Sequence, residues 1–267
     1  MELEVTLPPS AEKISPIFIT APCNHAGGAL LQRSVSASSN GFCYGDNIFD
    51  EVLSQIDWAF ELIERHQRDK VQEQKVLENT LDGKPGTWMP ELAPPHDIYM
   101  ASLLSAIYNL PHTAQHFAHE QSRDIWMMAR ASVPATRMGD LLSIFPTSKG
   151  IFIHRNPLDI VRDTLTDKPG TNVTDICVMW NNMMSEYLKS SSGRLLKLCY
   201  EEAQIHPDAF ASALEEFSGI KGLQGNIIGA GSEAELESPF ELSTELERQI
   251  KIQCEDMLAV FYPELAP

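Results

Sequence analysis

Two stretches of this sequence contain residue types suited to holding a phosphate group. The first is the loop at residues 22–33, PCNHAGGALLQR, which follows a short apolar run at 17–20. A strand, a glycine-containing loop and a helix in this order direct backbone N–H groups at an anion. The loop lacks the Lys-Ser/Thr pair of nucleotide triphosphate loops, so a plain glycine turn is the alternative interpretation.

The second stretch is 154–163, HRNPLDIVRD, which begins at the end of the buried run 150–154. Open α/β sheets bind ligands at the carboxyl ends of their strands, where Arg155 is expected to lie. A guanidinium group can donate two hydrogen bonds to one phosphate. Asp159 is expected to cap a helix that Pro157 helps to start. A surface salt bridge is the alternative role for Arg155.

The predicted strands and helices alternate along the chain, which is typical of a parallel sheet with helices on both faces. Strands are predicted at 17–20, 125–129, 150–154 and 194–200, and helices at 47–80, 98–110, 136–145, 175–189, 208–217 and 240–260. No internal repeat or linker divides the chain. The fold class is therefore predicted as a single α/β domain over 1–267, with residues 1–14 as an N-terminal arm.

The charge of the chain limits its partners. It has 37 acidic and 20 basic residues, and its net charge is −17. Such a surface repels nucleic acid, anionic lipid and sulfated polysaccharide at long range. A small neutral or cationic molecule is the favoured partner, and the sequence gives no prediction of an oligomeric state.

The sequence also predicts a compartment. No stretch approaches the roughly 18 apolar residues that span a membrane. The start of the chain, MELE, is acidic and lacks the features of a signal peptide. The five cysteines are dispersed without the spacing of metal ligands, which is typical of reduced thiols. We therefore expect a cytoplasmic protein with no membrane partner and no metal.

Together with a third stretch, these residues resemble the sulfotransferases that use 3′-phosphoadenosine-5′-phosphosulfate (PAPS). The loop at 22–31 is similar to the family's PRSGTT-LL element. Residues 145–159, FPTSKGIFIHRNPLD, are similar to its FP-x-x-K-x-I-x-x-RNP-x-D element. The third stretch, YEEA at 200–203 with Pro207, is similar to its YE-D/E-L-x-x-x-P element. The resemblance extends over about residues 15–260, and RNPLD is its most specific part.

The resemblance implies a P-loop sulfotransferase-like fold and a site for PAPS or its product, adenosine 3′,5′-bisphosphate (PAP). Arg155 corresponds to the arginine that binds the 3′-phosphate. Arg130, four residues after Trp126, corresponds to the basic residue of the family's W-x-x-K-x-P element. The residues implied to contact the cofactor are Cys23, Asn24, His25, Ala26, Gly27, Gly28, Ala29, Arg155, Asp163, Thr164 and Tyr200.

The chain departs from the family pattern at both phosphate sites. His25 occupies the place of an arginine or lysine in the loop. The hydroxyl-bearing residues that normally follow are replaced by Ala26, Gly28 and Ala29. Asp163 occupies the place of a serine at the 3′-phosphate site, where its carboxylate would repel a phosphate. Either Thr164 serves instead, or Asp163 turns away from the site, or the cofactor binds weakly.

The resemblance also implies in-line transfer of a sulfuryl group. His25, when protonated, and Arg130 are the expected cations that stabilise the leaving phosphate oxygen. One branch of the family has a glutamate after a glycine about twenty residues past the loop, and Gly45-Asp46 lies at that distance here. Asp46 is therefore the predicted base. Its alternative role is the N-cap of the helix that is predicted from residue 47.

Three histidines, His112, His116 and His119, have spacings of four and three that place neighbours on one helical face. They are predicted to line the acceptor pocket or to supply the base, and an ordinary polar helix is the alternative. A metal site is disfavoured because no carboxylate-His motif accompanies them. Segments 83–122 and 219–236 are expected to cover the acceptor and the cofactor.

We therefore predict a sulfotransferase that moves the sulfuryl group of PAPS to a hydroxyl of a small molecule. A cationic natural product, such as an alkaloid, is one candidate acceptor. The alternative is a catalytically silent protein of the same fold that binds PAP-type ligands, since the loop has lost its cation and hydroxyls. A P-loop kinase is disfavoured because Ala29, and not Lys-Ser/Thr, follows Gly28.

Overall fold

The computed structural model describes residues 13–225, 228 and 240–267. The described chain divides into two compact units. The smaller contains residues 13–14 and 50–117, and the larger contains residues 15–49 with the described part of 118–267. Most of the predicted arm 1–14 and of segment 219–236 lies outside the described residues. A single domain over 1–267 stays a prediction.

The larger unit is built on a five-stranded parallel sheet with the strand order β2-β3-β1-β4-β5. Its strands are β1 (Ile17–Ala21), β2 (Gly41–Tyr44), β3 (Ile125–Ala131), β4 (Lys149–His154) and β5 (Leu195–Cys199). Central strand β1 is buried along its whole length, as expected of a parallel strand covered on both faces. Ile19 lies between Ala129 of β3 and Ile151 of β4. The predicted α/β class is confirmed.

Strand β2 is the element that the sequence pattern does not predict. It has four residues, GFCY, of which only alternate ones are buried. Within the described sheet it lies at one edge and pairs with β3 alone. A strand this short, with a glycine at its start, shows too little periodicity to be recognised in the sequence.

The helices of the described chain occupy the predicted places with two differences. They are α1 (Gly28–Ala37), α2 (Asp46–Leu81), α3 (His96–Glu120), α4 (Ala135–Ile144), α5 (Pro157–Asp167), α6 (Val173–Lys189), α7 (Tyr200–Ile205), α8 (Pro207–Ser218), α9 (Thr244–Gln253) and α10 (Glu255–Phe261). Helix α3 continues past the predicted end at residue 110, with Pro111 inside it. The helix predicted at 240–260 is interrupted at Cys254, whose φ of −106° and ψ of 9° are not helical.

Aromatic side chains pack against one face of the sheet, since Phe18 and Phe152 point to the same side in the register of β1 and β4. The Phe18 ring packs on the rings of Phe49 and Phe145, with centroid distances of 5.5 and 5.8 Å. The Phe152 ring stacks on the Tyr187 ring at 3.9 Å. Each of these side chains is fully buried, which stabilises the fold by about 1.5–3 kcal/mol per residue. This packing fixes the strand ends that border the site.

The smaller unit is formed by parts of the long helices α2 and α3. Its core is a cluster of Ile63, Met100 and Leu103. At its edge, His66 Nδ1 lies 2.9 Å from a carboxylate oxygen of Glu73.

No helix in the described part of the chain is long and apolar enough to cross a membrane.

Candidate functional site

A cavity of about 640 Å³ opens at the carboxyl ends of β1, β3 and β4 in the larger unit. The chain leaves β1 toward β2 on one side, while β4 lies on the other side. Ligands of open α/β sheets bind at such switch points. The charged side chains that line the cavity are four permanent cations and three carboxylates, namely Arg33, Arg130, Arg155 and Lys168, and Asp46, Asp163 and Asp167. The cavity is thus slightly cationic in a strongly acidic protein.

The loop between β1 and α1 presents backbone N–H groups to this cavity. Gly27 precedes the helix with a φ of 109°, and no side chain caps the helix. A Cβ atom on Gly27 would lie 2.6 Å from Ile153 Cδ1 and 3.0 Å from Tyr200 Cδ2. Both the left-handed backbone and this close approach therefore require glycine. The uncapped N–H groups at the start of α1 suit an anionic ligand.

Arg155 links the two predicted phosphate-binding stretches. Its Nη1 donates to the backbone oxygen of His25 at 3.0 Å and to Asp163 Oδ2 at 2.5 Å. Its guanidinium carbon lies 4.5 Å from the centre of the Tyr200 ring. Burial lowers the pKa of Arg155, but the charge and the hydrogen bond of Asp163 outweigh this effect and raise that pKa overall. Arg155 therefore stays charged inside the protein.

Glu201 holds the turn that carries Arg155. Its Oε1 accepts hydrogen bonds from the backbone N–H of Asn156 at 2.8 Å and from Asn156 Nδ2 at 2.7 Å. Its Oε2 accepts a hydrogen bond from the Tyr262 hydroxyl at 3.1 Å. Hydrogen bonds to an ionised carboxylate are stronger than those between neutral groups. The RNP and YE elements therefore act together, because Glu201 of the YE element fixes the backbone at Asn156 of the RNP element.

The predicted cap of helix α5 was wrong by three residues. Asn156, and not Asp159, is the N-cap, because Asn156 Oδ1 accepts from the Asp159 backbone N–H at 2.9 Å. Asp159 lies in the first turn, and its carboxylate accepts from Asn156 Nδ2 at 2.8 Å. The Asn156 side chain thus bonds both the backbone and the carboxylate of Asp159, while the Asn156 backbone N–H is satisfied by Glu201.

His154 extends the network behind this turn. Its Nδ1 lies 2.7 Å from the Tyr262 hydroxyl. Because that hydroxyl donates to Glu201, Nδ1 of His154 must carry a proton and donate. Burial lowers the pKa of His154 to about 4, while the charge of Glu201 opposes the shift. The imidazole is therefore neutral in the folded protein at physiological pH.

We expect acid to destabilise the fold through His154. The unfolded imidazole takes up a proton as the pH falls below about 6.5, whereas the folded one resists protonation down to about 4. Stability should therefore be complete above pH 6.5 and fall through this window, with a loss of about 3 kcal/mol from this residue. Urea unfolding of the wild type and of His154→Gln between pH 7 and 4 measures the difference. The variant His112→Gln, at an exposed histidine, is the control. Equal pH slopes of the free energy of unfolding in the wild type and in His154→Gln would contradict this expectation.

His25 has a carboxylate partner that the sequence does not indicate. Its Nε2 lies 3.2 Å from Asp167 Oδ2 at the end of α5. The two side chains are 27% and 49% exposed, so this contact contributes little to stability. Its effect is to hold the imidazole at the wall of the cavity.

The predicted cation Arg130 and the predicted base Asp46 both line the same cavity. Arg130 pairs in register with Thr20 near the end of β1, and its Nη1 donates to the Ala131 oxygen at 2.8 Å. Asp46 is exposed and is the first residue of α2, directly after Gly45. The loop after β1, the ends of β2, β3, β4 and β5, and helix α5 thus contribute the predicted residues that line the cavity.

A family model of sulfotransferases matches residues 16–224, well over half of the chain. The chain belongs to the sulfotransferase family. This assignment makes it a transferase of sulfo groups, in agreement with the prediction. No curated protein matches the sequence.

Solved structures of sulfotransferases are similar to this one at low sequence identity. The sulfotransferase domain from the olefin synthase of Synechococcus PCC 7002 is 12% identical with a TM-score of 0.50, and the match covers 98% of this chain and 97% of that one. The sulfotransferase STF1 from Mycobacterium tuberculosis is 13% identical with a TM-score of 0.44, covering 93% and 79%. The sulfotransferase domain of the curacin biosynthetic pathway is 13% identical with a TM-score of 0.41, covering 90% and 96%. The first likeness supports the fold.

In this sulfotransferase two neighbours of Arg155 bear on the alternatives for its phosphate site. Asp163 does not turn away, since it is buried against Arg155. Thr164 lines the same cavity, and its hydroxyl donates to the Ile160 oxygen of its own helix at 2.7 Å, so its role at the phosphate site stays a prediction. The site as folded therefore presents a carboxylate where the family pattern has a neutral hydroxyl.

The predicted loop residues reach the cavity with one exception. Cys23, Asn24, Gly27, Gly28 and Ala29 line it beside His25, whereas Ala26 is fully buried and is not among the lining residues. Burial, with a smaller contribution from Cys177, raises the pKa of Cys23 to about 12. The thiol therefore stays neutral and adds no repulsion toward an anion.

The three predicted acceptor histidines lie on α3, as expected, and their side chains are exposed. His112 and His116 are four residues apart on this helix, and His119 lies near its end. Among the described residues, no group of three or more histidine, cysteine or acidic side chains could hold a metal ion. Their role as acceptor ligands or bases stays a prediction.

Sequence reasoning missed several residues of the cavity wall. Asp167 and Lys168 lie at the end of α5 and just after it, and the apolar side chains Ile176 and Met179 come from α6. Asp167 follows Asp163 at the i, i+4 spacing that places two residues on one helical face, which was the available signal that the two could share a wall. The residues of α6 carry no such signal, since apolar residues at helical spacing also fill cores.

Proposed function

We propose that this sulfotransferase moves a sulfuryl group from a nucleotide phosphosulfate to a hydroxyl of a small molecule in the cytoplasm. The observation that carries the proposal is the 3.0 Å hydrogen bond from Arg155 Nη1 to the His25 oxygen. This hydrogen bond joins the loop before helix α1, which has no side-chain cap, to the RNP turn. Both elements border one cavity in a chain of this family. The family resemblance names PAPS as the donor. The loop suits the 5′-phosphosulfate group of that molecule, whereas the carboxylate of Asp163 would repel its 3′-phosphate.

The residues of the cavity suit an in-line transfer. The loop N–H groups at Gly27 and Gly28 would hold the phosphosulfate oxygens, and Asp46 would accept the proton of the acceptor hydroxyl. The acceptor oxygen bonds to sulfur as the bond from sulfur to the bridging phosphate oxygen breaks. His25, when protonated, and Arg130 would stabilise the negative charge that grows on that bridging oxygen.

The acceptor is proposed to be small and neutral or cationic. The net charge of −17 disfavours polyanionic acceptors at long range. A cationic natural product, such as an alkaloid, fits this charge. The apolar side chains of Ile176 and Met179 offer one wall for such a molecule.

Transfer of a labelled sulfuryl group tests the proposal. The full chain is incubated with PAPS or adenosine 5′-phosphosulfate and a panel of neutral and cationic alcohols, and the labelled product and the released nucleotide are measured. Transfer to at least one alcohol is expected. Nucleotide binding without transfer across the panel would favour the silent alternative, and absence of both would reject the proposed function.

Replacing His25 with lysine tests the predicted cation of the loop. An imidazole loses its proton within the physiological pH range, whereas a lysine ammonium keeps its charge. We expect His25→Ala to lower kcat by about 10-fold or more, because the loop then offers no side-chain cation to the bridging oxygen, and His25→Lys to keep or raise kcat. Turnover at one fixed pH measures this, and the exposed His206→Lys variant is the control. Equal kcat values in the wild type and in His25→Ala would remove His25 from the mechanism.

A further inference from the structure

The positive charge of Arg155 is already balanced by carboxylates of the protein at the position where the family resemblance places a 3′-phosphate. Its Nη1 donates to the Asp163 carboxylate at 2.5 Å, and its Nη2 lies 3.9 Å from Asp159 Oδ2. The side chains of Arg155 and Asp163 are only 11% and 8% exposed. The positive charge that a phosphate would need is therefore shared with carboxylates of the following helix, α5.

A phosphate group at this position would meet Asp163 directly. Two like charges a few ångströms apart repel strongly where water is excluded. A ribose hydroxyl has the opposite relation to Asp163, since a carboxylate accepts a hydrogen bond from it. Dinucleotide sites use this same difference, with an acidic residue selecting a free hydroxyl and an arginine selecting a phosphate.

The charge of the whole cavity agrees with this local picture. Four permanent cations face three carboxylates, and His25 is paired with Asp167 at 3.2 Å. A donor with both a 5′-phosphosulfate and a 3′-phosphate carries more negative charge than these cavity residues can compensate. A donor with the 5′-phosphosulfate alone needs only the loop N–H groups and the remaining cations.

We propose that Asp163 selects a donor whose ribose carries a free 3′-hydroxyl, so that the substrate class is a nucleoside 5′-phosphosulfate rather than PAPS. This rests on the proposed function, because it assigns the donor of the same reaction. The acceptor oxygen bonds to sulfur, the bond from sulfur to the 5′-phosphate oxygen breaks, and the acceptor proton passes to Asp46. The leaving group is then a nucleoside 5′-monophosphate, and no other reactant is needed.

Calorimetry with two product nucleotides tests the selection. Adenosine 5′-monophosphate and PAP are titrated into the full chain, into Asp163→Ser, into Asp163→Asn and into the surface control Asp140→Ser. The wild type is expected to bind the monophosphate at least as tightly as PAP. Asp163→Ser is expected to shift the affinity ratio toward PAP by about 10-fold or more, because the repelling charge is gone. Asp163→Asn removes the charge with little change in volume and should shift the ratio in the same direction.

The outcomes separate this inference from the proposed function. A wild type that prefers PAP by about 10-fold or more overturns the inference, and sulfuryl transfer from PAPS by that protein leaves the proposed function intact. An unchanged ratio in both Asp163 variants also overturns the inference. Absence of binding of either nucleotide to the wild type overturns the inference and the nucleotide donor together. The affinity ratio of the two nucleotides should not change in Asp140→Ser. If it shifts as far as in Asp163→Ser, the specific role of Asp163 is overturned.

Discussion

Replacing Arg155 with alanine is expected to lower the affinity for the nucleotide by about 100-fold or more. The variant removes the cation beside the loop and leaves the buried Asp163 carboxylate without its 2.5 Å partner. An unpaired carboxylate would repel the donor, so the loss should exceed that of a single hydrogen bond. Because half of a buried ion pair is left behind, the free energy of unfolding should also fall by about 3–5 kcal/mol. Calorimetry and urea unfolding measure the two effects.

A double variant separates binding from stability. Arg155→Ala with Asp163→Ala removes both charges, so stability should recover most of its loss. Nucleotide affinity should stay well below that of the wild type, because Arg155 no longer holds the loop at His25 and no carboxylate accepts from the ribose hydroxyl. Wild-type affinity in a folded Arg155→Ala protein would contradict the placement of the donor at this turn.

Replacing Asp46 with asparagine is expected to lower turnover by about 100-fold with little change in donor affinity. The asparagine side chain has nearly the same shape as that of aspartate but could not accept a proton from the acceptor hydroxyl. Single-turnover rates with saturating donor measure the chemical step, and calorimetry measures donor binding. Asp69→Asn, an exposed change further along α2, is the matched control.

Near-normal turnover in Asp46→Asn would remove Asp46 as the base. The role would then pass to His112, His116 or His119 as the next candidates. A parallel loss of turnover and of folding stability would instead assign Asp46 to the start of helix α2, which it opens. The two readouts therefore distinguish a proton acceptor from a residue of the helix terminus.

Residue patterns close together in the chain predicted much of this site. The run at 17–20 followed by a glycine loop, and the run at 150–154 followed by Arg155, are local signals. Buried parallel strands need continuous apolar residues, and their ends border the ligand crevice. These signals placed the loop and Arg155 at one cavity, as found. The edge strand β2 escaped recognition because its four residues bury only alternate side chains.

Contacts between distant residues were beyond the sequence. Glu201 braces Asn156 across 45 positions, and Tyr262 reaches Glu201 across 61. No spacing rule predicts such pairs, because they depend on how the strands and the last helix come together. The YE element could be matched to the family by its letters, but its physical role, which is to fix the turn beside Arg155, appeared only in the folded chain.

The sequence by itself determined the α/β class, the anion-binding loop and the arginine at a strand end, since each depends on local periodicity and residue type. It also determined that His25 and Asp163 depart from the family pattern. Only the tertiary structure decided which side chains those two residues contact. Helix α5 turns Asp163 onto Arg155 and leaves Asp167 beside His25. Side-chain direction on a helix and the packing of that helix against the loop set these pairs, and both are properties of the folded chain.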